Sequence, residues 1–87
     1  MKTEVINIGV PLKLYAEHSN NEIREMVIKA LTEGRAIEVD GQPKKYVTIA
    51  IRLPIELAKT IRRLAEEHNI PITVYSCKLL EGVNGDV

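Results

Sequence analysis

Apolar and polar positions alternate in two short stretches of this chain, each stopped by a proline. From Glu4 to Val10, Ile6, Ile8 and Val10 fall on one side, with Val5, Asn7 and Gly9 on the other. This predicts a half-buried strand ending at Pro11. From Tyr46 the pattern returns, with Val47, Ile49, Ile51 and Leu53 on one side and Thr48, Ala50 and Arg52 on the other. A buried Ile/Val face is thus set against a small, cationic one, and Pro54 suits the first turn of a following helix.

Helical spacing fills much of the rest. Ser19 followed three residues later by Glu22 is a capping-box signal, after which Ile23, Met26, Val27, Ala30 and Leu31 form one stripe that Gly34 stops. Leu57, Ile61, Leu64 and Ala65 line a second helix, which Asn69 can end before Pro71 begins another element. The run ITVYSCKLLEG from Ile72 is ambiguous. Its β-branched start permits a strand, yet Ile72, Tyr75, Leu79 and Leu80 share a helical arc. Between Gly34 and Tyr46, Asp40-Gly41 and Pro43 mark a linker or hairpin tip.

The halves resemble each other. INIGVPLKL from Ile6 aligns with IAIRLPIEL from Ile49, and LTEG ending at Gly34 aligns with LLEG ending at Gly82. That alignment shortens the helix of the first copy by five residues. Residues 1–40 then form a strand–helix half and residues 41–87 a second half, and the two make one compact unit.

Composition narrows the class. Apolar content of 45% supports folding, but the aromatic residues are Tyr15, Tyr46 and Tyr75 alone. A thin aliphatic core in 87 residues favours a homodimer or a pairing of the two strands within one chain. The single cysteine, Cys77, excludes an internal disulfide, and no membrane-length apolar run interrupts the charged sequence, so a cytoplasmic protein is expected. Net charge is zero, with five Lys/Arg against seven Asp/Glu in residues 1–40 and seven against five in residues 41–87. The local excess is Lys44, Lys45 and Arg52, on or beside one strand.

No catalytic machinery is visible. Glu66 and Glu67 are adjacent on a helix and diverge, and Cys77 has no His or Lys at helical contact spacing. His18 and His68 lack metal-ligand spacing with Cys77, and no glycine-rich phosphate loop occurs. No enzyme activity, metal or cofactor is implied.

The segment TIAIRLPIELAKTIRRLAEEHNIPITVYSCKLLEG resembles the ribbon-helix-helix DNA-binding family of Arc-repressor-like regulators and antitoxins, over about residues 46–82. Its most specific pieces are the arginine before an apolar-proline stop and RRLAEEHN at the end of the first helix. The resemblance implies a mainly α fold with a short antiparallel β-ribbon, here possible as a tandem pseudo-dimer, that enters the major groove of duplex DNA. By position, Thr48, Ala50 and Arg52 would read bases, with Lys44 and Lys45 nearby, and the helix start at Ile72 and Thr73 would face a phosphate. Ala50 stands where the family usually has a hydrogen-bonding side chain, leaving contact with a thymine methyl. Pro71 also departs from the hydroxyl or glycine context common there. If the first half is a degenerate copy, Val5, Asn7 and Gly9 are its outward row, and Asn7 is its one base reader.

A ferredoxin-like βαββαβ sandwich fits the same order of elements, with a hairpin over residues 36–52 and a strand at 72–80. It would make the chain a small non-enzymatic protein-binding or assembly domain. Residues 72–80 separate the two, helix favouring the ribbon and strand the sandwich. The expected function is a DNA-binding transcriptional repressor. Family antitoxins append a toxin-binding tail, and the seven residues after Leu80 favour a free-standing regulator.

Overall fold

In the computed structural model, which describes residues 2–34 and 45–85 with side chains through residue 82, strand β1 (Thr3–Pro11) leads into helices α1 (Leu12–Glu17) and α2 (Asn20–Glu33). Strand β2 (Tyr46–Pro54) leads in the same way into α3 (Ile55–Glu67) and α4 (Ile72–Gly85). The Asp40-Gly41 and Pro43 turn lies outside the described residues. Pro11 and Pro54 each sit one residue before a helix with φ near −50° (−53° and −51°) and extended ψ of 138° and 140°. Proline fixes that φ and supplies no N–H, so it ends the ladder and turns the chain into the helix.

The two strands pair antiparallel within the one chain, from Thr3↔Pro54 through Asn7↔Ala50 to Pro11↔Tyr46. The register has an internal symmetry. Exchanging each residue for its counterpart in the other strand turns Val5↔Arg52 into Thr48↔Gly9 and leaves Asn7↔Ala50 in place. Backbone bonds beyond the strands obey the same exchange, since Leu12 N–H donates to the Lys45 carbonyl at 3.2 Å and Ile55 N–H to the Lys2 carbonyl at 3.1 Å. Because one chain supplies both strands, the ribbon is complete without a second copy.

The helix punctuation is local chemistry. Ser19 and Glu22 form a reciprocal capping box at the start of α2, and Gly34 ends it in the left-handed region at φ 67°. Asn69, at φ 56°, ends α3, where Ile70 N–H reaches the Ala65 carbonyl and Asn69 N–H the Glu66 carbonyl. That pair of bonds is a Schellman motif, and asparagine tolerates the left-handed conformation it requires.

The inward faces of both strands meet all four helices in one apolar core drawn from both halves of the chain. Ile6, Ile8 and Val10 are buried, as are Ile51 and Leu53, with Leu14, Ile23, Val27, Ile61 and Leu79 packed beneath. The outermost inward residues of β2, Val47 and Ile49, are partly covered. Helix α4 is the central element, packing against β1, α2 and α3, and every residue from Tyr75 to Leu80 is buried.

Two expectations are corrected. Residues 72–85 are helical where the ferredoxin-like sandwich needs its last strand, so the sandwich is excluded. The alignment of Gly34 with Gly82 also fails, because Gly34 caps α2 whereas Gly82 lies inside α4. Helices α2 and α4 each have 14 residues, and the halves differ instead in the first helix, six residues in α1 against 13 in α3.

Candidate nucleic-acid interface

The face of the ribbon opposite the core is a row of side chains that alternation forces outward. Val5 and Asn7 from β1 and Thr48, Ala50 and Arg52 from β2 are exposed there, and none is acidic. The structure therefore brings Asn7, Thr48, Ala50 and Arg52 onto one surface. The nearest strand acid, Glu4, lies on the inward row and pairs with Arg62 of α3.

The expected basic cluster is taken apart. Lys44 lies outside the described residues. Lys45 precedes Tyr46 at one end of the ribbon, while Arg52 lies toward the other. Seven residues of strand put roughly 23 Å between them at about 3.3 Å each. Antiparallel pairing instead brings Lys2, the counterpart of Lys45, toward the Arg52 end. Arg24 joins it there from α2, its Nε donating to the Arg52 carbonyl at 2.5 Å and its guanidinium also bonding Glu25. Ile72 and Thr73 open α4 and are half-buried beside the other flank of the ribbon.

The flanks differ. At the Gly9 end, α4 presses on β1. Gly9 N–H donates to the Ser76 hydroxyl at 2.8 Å, and that hydroxyl also donates to the Thr73 carbonyl at 3.1 Å. A Cβ added at Gly9 would fall within 3.0 Å of the Thr73 carbonyl oxygen and the Tyr46 ring. Gly9 is consequently buried although it belongs to the outward row. At the Arg52 end the equivalent helix stands off, leaving a groove of about 310 Å³ lined by Thr3, Asn20, Asn21, Arg24, Ala50, Ile51 and Arg52. Matching α2 to α4 from their first residues makes Arg24 the counterpart of Ser76, and Arg52 that of Gly9. Equivalent helix positions thus meet the strand backbone twice, once as a small buried hydroxyl that accepts from Gly9 N–H and once as a long cation that donates to the Arg52 carbonyl.

Lys2, Asn20, Asn21 and Arg24 lie at the Arg52 end without being marked by the strand alternation. Other signals are present, since the repeat maps Lys45 onto Lys2 and the capping box marks where α2 begins. The capping box also limits what the α2 terminus can do. Bonds from the Ser19 backbone N–H and then the Ser19 hydroxyl hold the Glu22 carboxyl below its usual value, so a negative charge already occupies that end. An anion in the groove would therefore meet Arg24 and the asparagine amides, not a vacant helix terminus.

Among the described residues no group of three or more His, Cys, Asp or Glu could hold a metal ion. No described helix is long and apolar enough to cross a membrane. His68 stacks on Tyr75, ring centroids 5.9 Å apart, which gives it a packing role. Cys77 is fully buried, and burial, then the nearby Glu81, pushes its thiol up to about 11. Native protein at pH 8 is expected to react with a thiol reagent far more slowly than denatured protein; equal rates would mean the thiol is accessible. The linkage has a definite sign. Between pH 9 and about 11 the unfolded thiol ionises first, so stability falls as pH rises through that window.

A scan against protein-family models and searches of curated proteins and of solved structures find no match to this chain.

Proposed function

We propose that this chain is a single-chain, tandem ribbon-helix-helix protein that acts as a DNA-binding transcriptional regulator, laying the β1–β2 ribbon in the major groove. The observation that carries the reading is the intramolecular antiparallel ribbon, each strand followed by two helices, with the acid-free row Asn7, Thr48, Ala50 and Arg52 facing away from the core. A major groove about 12 Å wide admits a two-stranded ribbon. On this reading Arg52 pairs with a guanine edge, Asn7 with adenine, Thr48 reads through its hydroxyl and Ala50 touches a thymine methyl. Lys2, Arg24 and Lys45 meet phosphates, and Lys44, Ile72 and Thr73 belong to the same proposed contact set. The role is non-enzymatic, and duplex DNA is the partner.

Arg52→Ala tests it. The side chain is exposed and opposite the core, so thermal stability is expected to stay within about 0.5 kcal/mol of the parent. Affinity for a preferred duplex should fall by roughly 1–3 kcal/mol, with relaxed selectivity at one base position. Wild-type affinity should drop steeply with salt, by about 0.9 log units per log unit of salt for each phosphate neutralised. A chain that binds no duplex at low salt, or an Arg52→Ala variant that melts early yet binds equally well, would overturn the reading.

A further inference from the structure

We infer that the chain reads a non-palindromic duplex site in one fixed orientation, with base discrimination concentrated at the Arg52 end of the ribbon. This rests on the DNA-binding reading above and concerns what kind of site is read.

The phosphate backbone of a duplex has a local twofold relation between its strands, so contacts to backbone alone cannot orient a protein whose own contacts are twofold-related. Orientation comes from unlike groups at symmetry-equivalent places. In this ribbon the register puts the symmetry point at Asn7↔Ala50, which is already unlike, an amide opposite a methyl. On one side of that point the outward pair is Val5 with Arg52, and on the other it is Gly9 with Thr48. The first pair offers a guanidinium fork and an aliphatic side chain that is 51% exposed. The second offers one hydroxyl, because Gly9 has no side chain and is covered.

The flanking ground is unlike in the same sense. Beyond Arg52 lies the groove with Asn20, Asn21 and Arg24, open to a backbone phosphate. Beyond Gly9, the Thr73 carbonyl and Tyr46 ring occupy the equivalent space. A palindrome presents the same bases to both ends, and only one end carries the fork to read them. The best site therefore places a guanine on one side of centre and has no mirrored demand on the other.

The test is selection of duplexes from a random pool with the full chain, followed by mapping of orientation. A cleavage reagent attached to a Lys13→Cys variant, at an exposed position two residues past the Pro11↔Tyr46 pair and outside the proposed contact set, marks which end of the site the Tyr46 end of the ribbon faces, and buried Cys77 does not compete for the reagent in the native protein. The expected result is a non-palindromic motif cut on one side of its centre. Reversing the motif within a longer duplex should move the cuts to the other side, and Arg52→Ala should weaken discrimination about 5- to 150-fold on the uncut side only. A palindromic motif, or equal cutting on both sides, overturns fixed orientation while leaving DNA binding intact. Failure to bind any duplex at low salt overturns both.

Discussion

Gly9→Val is expected to cost about 3 kcal/mol or more, at the upper end of what overpacking a filled site costs. The whole stability of a domain this size is on the order of 4–13 kcal/mol, so the variant should lose a large share of it. The reason is position, not the propensity of glycine for turns. A Cβ there would press into the Thr73 carbonyl oxygen and the Tyr46 ring, and backbone cannot swing aside as a flexible side chain can. To make room, α4 must withdraw, and the bond from Gly9 N–H to the Ser76 hydroxyl goes with it. Leaving that buried N–H unmatched adds about 1–3 kcal/mol. The control is Thr48→Val, on the exposed face of the paired residue, which should stay within about 0.5 kcal/mol. Chemical denaturation of both proteins checks this, and a Gly9→Val protein as stable as the control would mean that α4 does not approach the strand there.

Ile8→Ala should destabilise by about 2–5 kcal/mol without altering any outward residue. Ile8 is fully buried, lies near the middle of β1 and pairs with Ile49. Truncation leaves a void between the ribbon and the helices below, and a core with no Phe or Trp has few large side chains to collapse into it. Ile49→Ala should cost less, since that side chain is only partly buried. Equilibrium unfolding in urea would rank the two; the reverse order would mean that the ribbon is covered more heavily on its β2 side.

Much of this arrangement could be read from residue patterns, and the unread parts have physical causes. Both strands alternate cleanly because one face meets the core and the other meets solvent, so their period survives in the sequence. Helices α2 and α3 are also half-solvated, and their caps at Ser19, Gly34 and Asn69 are stereochemical necessities. The last helix was ambiguous because it is buried on all sides from Tyr75 to Leu80, and complete burial erases the polar face that reveals a helical period. The first helix was too short, at six residues, to display a stripe. At the candidate site, alternation sorted Asn7, Thr48, Ala50 and Arg52 onto one face, but no one-dimensional pattern tells which strand end lies beside which. The separation of Lys45 from Arg52 is legible in the strand length itself, whereas the approach of Lys2 and Arg24 to the Arg52 end depends on pairing and packing that no local pattern encodes. Gly9 looked like an open outward position because its burial is imposed by α4, an element 67 residues away at its Ser76 contact.

The joining of both strands in one chain changes how the ribbon responds to abundance. In a ribbon shared between two chains, the competent species forms by collision, and its amount falls with the square of concentration once the protein is scarce. Here strand pairing is a unimolecular step, and the tether keeps the effective concentration of one strand near the other far above any cellular level of free chain. The melting point of the ribbon is then set by the chain alone, not by how many copies surround it. For a regulator built this way, occupancy of a target would follow a simple hyperbola in protein level, responding in proportion at a few copies per cell where an assembling dimer would fall silent.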